Sequence, residues 1–199
     1  MAAAPSVAME AGKDQAQAHD GVERPADMAH CSGLSGSAED SDPAGLNVRA
    51  GPSLKATVIA VAKLRAFARD ALGRELLQAP EFSITGSRGG WLLVAGLRYP
   101  DPPVDPALPA SGWVHGSRVL VRTYDDSRSD LHRRPTSDSP ARAIGGMSFT
   151  VLGCTGRWIH VRATDGSSAG WLAAHDVCSE QMRLERPVNP CSRRAESQR

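Results

Sequence analysis

One line of residues occurs twice in this chain. Phe82-Ser83-Ile84-Thr85-Gly86-Ser87-Arg88-Gly89-Gly90-Trp91-Leu92-Leu93-Val94 matches Phe149-Thr150-Val151-Leu152-Gly153-Cys154-Thr155-Gly156-Arg157-Trp158-Ile159-His160-Val161, without a gap, at an offset of 67 residues. In each copy an aromatic residue opens an apolar run, a Gly-flanked turn follows, and a Trp opens a second run. That is the pattern of a β-hairpin. Gly112-Trp113-Val114 and Gly170-Trp171-Leu172 follow as short strands. Upstream, Leu46 with Arg49 is set against Leu131 with Arg134. Self-similarity at this scale means two copies of one small β unit.

The first copy resembles the bacterial SH3 domain. It carries Leu46-Asn47-Val48-Arg49-Ala50-Gly51-Pro52-Ser53, then Val58-Ile59-Ala60-Val61, the Trp hairpin, and the closing Gly112-Trp113-Val114. The second copy keeps Ala143-Ile144-Gly145, Val151-Leu152-Gly153, Trp158-Ile159-His160-Val161 and Gly170-Trp171-Leu172. Its opening is looser, with Pro135 where Gly-Pro is expected. The resemblance implies an all-β chain of two tandem SH3-like small barrels, over residues 41–123 and 124–178. A single larger barrel or sandwich is the alternative fold. Residues 1–40 read as a disordered acidic arm, poor in large apolar side chains. Residues 179–199 read as a basic tail.

The copies differ by insertions, where a scaffold tends to carry its specific function. Eighteen extra residues precede the first hairpin, centred on Leu64–Leu77. Apolar residues at 64, 67, 68, 71, 72 and 76 trace one helical face. One short helical insertion is therefore expected in the first barrel, although Gly73 costs a helix about 1 kcal/mol relative to Ala. The stretch from Trp91 to Gly112 is nine residues longer than that from Trp158 to Gly170 and includes the Pro-rich run Pro100–Pro109, a stiff, extended loop.

Charge narrows the partners. The formal net charge is +1, with two basic and seven acidic residues in 1–40. This argues against an electrostatic nucleic-acid binder. The sequence has no apolar stretch of membrane-spanning length. Met1–Ala8 resembles the end of a secretory signal, with small residues at Ser6 and Ala8.

Cys31, Cys154, Cys178 and Cys191 are four cysteines in a β-rich chain, which fits disulfides and an oxidising compartment. Their number allows three connectivities. Among tandem bacterial SH3 proteins a Gly-Trp-Leu strand, a cysteine, and an Asn-Pro segment closed by another cysteine form a familiar ending. The resemblance thus implies Cys178 with Cys191, which leaves Cys31 for Cys154. The expected location is periplasmic or secreted, with a cytoplasmic chain the alternative. No cysteine pair has zinc-site spacing, and no metal or cofactor is expected. Cys154 and His160 could face each other across the hairpin as a thiol–imidazole dyad, but the chain lacks room for a cysteine-peptidase domain.

The resemblance implies a non-catalytic binding module of the cell envelope that takes peptidoglycan peptides or a protein partner. The alternative is a scaffold that displays the insertions and has no cell-wall ligand. Trp91, Tyr99, Trp113 and Tyr124 are the candidate ligand contacts. The tryptophans at repeat positions are otherwise core, or half-buried near the barrel seam.

Overall fold

The computed structural model describes residues 21–38, 44–100, 105, 107–123, 129–144 and 146–178. Its strands are β1 (Ala29–Ala38), β2 (Leu46–Arg49), β3 (Val58–Ala62), β4 (Arg65–Arg69), β5 (Glu75–Gln78), β6 (Glu81–Arg88), β7 (Trp91–Arg98), β8 (Ser111–His115), β9 (Val119–Thr123), β10 (Ser129–His132), β11 (Ala141–Ile144), β12 (Ser148–Thr155), β13 (Trp158–Ala163), β14 (Ala169–Ala173) and β15 (Val177–Cys178). Single 3₁₀ turns, η1 (Gly116–Arg118) and η2 (Ala174–Asp176), follow β8 and β14. The described residues contain no α-helix.

The repeat is real in three dimensions. β6–β7 and β12–β13 are the two hairpins, and each carries a bulge at the same place, Ile84/Gly86 and Val151/Gly153. Gly86 has no room for a side chain, since a Cβ there would stand 2.7 Å from Met28 Sδ and 3.1 Å from the Ala29 carbonyl. Gly89 and Gly156, again equivalent, turn the hairpins at φ of 55° and 54°, a left-handed conformation that glycine adopts without steric cost. Outside each hairpin the order is the same: β6-β7-β8-β2-β3 in one half and β12-β13-β14-β10-β11 in the other.

The opening strands correspond at a different register from the one expected. Arg49 pairs with Trp113 and His132 with Trp171. His132, not Arg134, therefore stands where Arg49 stands, an offset of 83. The loops after these strands agree. Ala50 N–H donates to the Thr57 carbonyl and Arg133 N–H to the Pro140 carbonyl. Ser53 to Gly51 repeats as Thr136 to Arg134, and Ala56 to Ser53 as Ser139 to Thr136. Pro52-Ser53 and Pro135-Thr136 are the true match, and Arg134 occupies the position of Gly51. The offset falls from 83 to 67 across the insertion, so that insertion is 16 residues rather than 18.

The insertion is a hairpin and not a helix. β4 and β5 form a separate two-stranded sheet. Asp70 decides this: its carboxylate accepts from the Leu72 and Arg74 N–H groups at 2.8 and 2.9 Å and from Arg74 Nε at 2.7 Å. The Arg74 backbone N–H, then the Arg74 side chain, hold the Asp70 carboxyl below its usual range. Gly73 closes the turn at a φ of 77°. An Asx-type turn of this kind competes directly with a helix. Leu64, Phe67, Leu72 and Leu76, which a helix would have turned to one side, stay exposed.

The expectation of a disordered arm through residue 40 also fails for Ala29–Ala38. β1 lies in the middle of the sheet, paired with β6 on one edge and with β9 on the other. Pairing on both edges, burial of Leu34 and Ala38, and a disulfide offset the ordering entropy of this sparsely apolar segment. With β1 and β9 between them, the halves form one continuous antiparallel sheet of thirteen strands. No closure into two separate barrels is present among the described strands. β9, which ends the first half, is instead hydrogen-bonded to β12 of the second. One hydrophobic core joins both halves, including Phe82, Ile84 and Val94 from the first and Phe149, Val151 and Val161 from the second. Ser87 and Cys154, equivalent positions, bond to each other. The Ser87 hydroxyl accepts from the Cys154 N–H at 2.9 Å and donates to its carbonyl at 3.0 Å. Contact between equivalent residues is the mark of an approximate two-fold axis.

Candidate functional site

The opening motif of the first half builds a cleft of about 460 Å³. One wall is β2 with the loop after it. The Arg49 guanidinium donates to the Leu54 and Ala56 carbonyls at 3.0 and 2.8 Å, so the basic residue of the motif shapes the loop from within. Leu54, held out on this loop, is 76% exposed and forms the lip. The other wall comes from the ends of β7 and β8 and from η1. Trp91 meets His115 edge to face at 5.2 Å, and His115 Nδ1 shares a 2.7 Å hydrogen bond with the Ser117 hydroxyl. Asn47 and Arg118 also line it. Among the described residues the lining contains three basic side chains, Arg49, His115 and Arg118, and no carboxylate. A cleft so composed presents hydrogen-bonding groups to a ligand.

Of the three expected ligand contacts among the described residues, Trp91 alone lines this cleft. Trp113 is fully buried, with its Nε1–H donating to the Glu23 carbonyl at 2.8 Å. Tyr99 is 4% exposed and is a packing residue. Its hydroxyl donates to the Lys63 carbonyl at 2.6 Å, and the Arg65 guanidinium lies 5.5 Å from its ring centre. Burial, then the nearby Asp105 carboxylate, pushes the Tyr99 phenol above its usual range. Tyr124 lies outside the described residues. Asn47, Leu54, His115 and Ser117 were not foreseen as lining residues. The signal for the last two was their place beside the closing Gly-Trp-Val strand, where η1 turns back toward β2.

Cys31 is bonded to Cys154, their Cα atoms 5.9 Å apart. This ties β1 to the turn of the second hairpin, where Gly156 N–H donates to the His30 carbonyl and Ser32 N–H to the Gly156 carbonyl. The Cys154 sulfur is thereby committed, and His160 faces Gly153 across the ladder with its ring stacked on Trp171. The expected Cys178–Cys191 pair lies outside the described residues, apart from the Cys178 backbone in β15. The disulfide points to an oxidising, extracytoplasmic compartment. Among the described residues no helix is long and apolar enough to cross a membrane, and no group of three or more metal-ligating side chains occurs.

No family model matches the chain, and no curated protein matches it. Among solved structures it is similar to NlpC2 from Trichomonas vaginalis, at 10% identity and a TM-score of 0.28. That match covers 77% of this chain and 51% of the other, so the chain spans about half the length of that protein. A likeness this weak carries no argument about fold or activity.

Proposed function

We propose that this chain is a non-catalytic peptide-binding module of the cell envelope, built as two SH3-like units fused into one sheet. The observation that carries the reading is the cleft formed by the Leu46–Ser53 motif with Trp91 and His115. Its loop is pre-formed by Arg49, and its basic lining suits a peptide that ends in, or carries, a carboxylate. Pre-organisation of this kind lowers the entropic cost of binding. Peptidoglycan peptides are the favoured ligands, and an acidic segment of a protein partner is the second class. The Cys31–Cys154 disulfide supports action outside the cytoplasm.

A scaffold reading draws on a different observation. The β4–β5 hairpin stands apart from the main sheet and exposes Phe67, Leu72 and Leu77. Co-sedimentation with purified peptidoglycan separates the two readings. The cleft reading expects binding that His115→Ala and Asn47→Ala together weaken without change in melting temperature. Binding unaltered by both substitutions refutes it. No sedimentation, with a hairpin-dependent protein partner recovered instead, supports the scaffold.

A further inference from the structure

The two halves differ in what covers their outer faces. In the first half the segment Val22–Met28 lies on the outer face of β7 and β8. Val22 and Met28 pack with Trp91, Leu93 and Trp113 in a second apolar cluster. The segment is held as a bound peptide would be. Glu23 N–H donates to the Ala50 carbonyl at 2.7 Å, and the Glu23 carbonyl accepts from Trp113 Nε1. The Glu23 carboxylate lies against Gly51, where a Cβ would stand 2.4 Å from Oε2. Asp27 pairs with Arg88 at 2.8 Å. The first face is thus covered by residues of its own chain.

The equivalent face of the second half has no such cover among the described residues. Trp158, His160 and Trp171 take the places of Trp91, Leu93 and Trp113. All three are half-buried, whereas their counterparts are buried. His132, Trp171 and His160 form one cross-strand row. His160 stacks on Trp171 at 4.6 Å, and His132 meets Trp158 edge to face at 5.1 Å. Among the described residues the Trp171 Nε1–H donates to no protein acceptor, although Trp113 Nε1–H does. The Arg133 carbonyl stands where the Ala50 carbonyl receives the Glu23 N–H. The exposed Arg134 stands at the Gly51 position, under the place a Glu23-like carboxylate would occupy. Asp138, whose own carboxyl is held low chiefly by the Thr136 hydroxyl, is the acidic neighbour of Arg134.

We propose that the open Trp158–His160–Trp171 face binds an extended acidic peptide segment of a partner protein, as the first face binds residues 22–28 of its own chain. The occupant follows from the molecule itself. The same backbone frame already holds an extended segment with an apolar residue followed by a glutamate. The change from Gly51 to Arg134 adds a cation where that glutamate sits, which suits an acid supplied in trans. Thr155 replaces Arg88, so the second acid of the segment has no counterpart partner, and recognition centres on the first.

The test uses the full oxidised chain and a capped synthetic peptide with the sequence of Gly21–Met28. Binding is followed by tryptophan fluorescence and by the indole N–H resonances. The expected result is saturable binding with Kd below about 1 mM and a shift of the Trp171 indole N–H. Arg134→Glu weakens binding about tenfold, as does the peptide carrying Gln for its Glu, and the two changes together weaken it no further. Trp171→Phe keeps an aromatic ring on the platform and also weakens binding. The Trp91 indole N–H, which reports on the cleft, shifts less than that of Trp171, which separates this face from the cleft. Three results overturn the proposal: no saturation at millimolar peptide, equal affinity in Arg134→Glu and Trp171→Phe, or shifts confined to Trp91 and Trp113. A chitin oligomer bound in place of the peptide overturns it as well, since that assigns the platform to sugar.

Discussion

Opening the Cys31–Cys154 disulfide is expected to remove a large part of this protein's stability. The bond joins residues 123 positions apart. In the chain-entropy description a closed loop of that length restricts the unfolded ensemble by ~5 kcal/mol, and removal of native disulfides costs about 2–5 kcal/mol in practice. The upper part of that range applies here, because the bond also anchors a segment with few apolar contacts of its own. Between His30 and Leu34 the register of β1 on β6 is broken, and residues 31 and 32 lean on the second hairpin through the disulfide and the Gly156 hydrogen bonds. The whole stability of a domain is about 5–15 kcal/mol. Guanidinium unfolding of the oxidised chain and of the Cys31→Ser/Cys154→Ser double variant measures the difference. With an m value near 4 kcal/mol/M, a loss of 4 kcal/mol moves the midpoint by about 1 M. The variant also exposes a protease site within residues 29–38 before the rest of the sheet unfolds. Coincident unfolding midpoints with unchanged cleavage would refute this reasoning, because β1 would then be held by pairing alone.

Two further outcomes follow from burial and titration. Trp113→Ala costs about 3–5 kcal/mol, since it empties a fully buried site and strips the Val22–Met28 segment of its anchor, whereas Trp171→Ala at the half-buried equivalent costs about 1–2 kcal/mol; thermal melts of the pair check the order. His160 is held below the ordinary imidazole range by burial first and by Arg162 second, so below about pH 6.5 the unfolded chain takes up a proton that the folded chain refuses. Stability from this group is complete above that pH, falls as the pH drops through the folded value, and then levels. His160→Gln should remove that part of the slope, which chemical unfolding from pH 7.5 to pH 5 measures.

The parts of the fold legible in the sequence are those whose cause is local. The paired hairpins carry their turn glycines, bulges and tryptophans within thirteen residues, so their correspondence survives at one offset. The opening strands were misaligned by two residues because Leu46 and Arg49 look like Leu131 and Arg134. The buried inward positions are in fact Leu46 and Val48 in one half and Ser129 and Leu131 in the other. Pro52-Ser53 and Pro135-Thr136, which shape the loop backbone, were the better guide. The insertion failed for a related reason. Its apolar spacing fits a helix, but Asp70 and Gly73 fit a turn, and turn chemistry prevailed. β1 was not legible because what orders it is distant: two strands more than forty residues away and a cysteine 123 residues on.

The covered face of the first half had left a trace in the sequence all the same. A strand open on one side alternates, and a strand covered on both sides reads as a continuous apolar run. Trp158-Ile159-His160-Val161 alternates in burial, with the aromatic and imidazole rings on the outer side. Trp91-Leu92-Leu93-Val94 does not alternate, and all four of its residues are buried. Leu93 in place of His160 therefore implies that something lies on the outside of β7. Outside the repeat, the candidates upstream of β2 were few. Val22 and Met28, isolated apolar residues in a polar segment, are the ones that meet it. The same comparison assigns the reverse property to β13. A histidine stands here where the other half has leucine, and the outer face of β13 has no cover among the described residues.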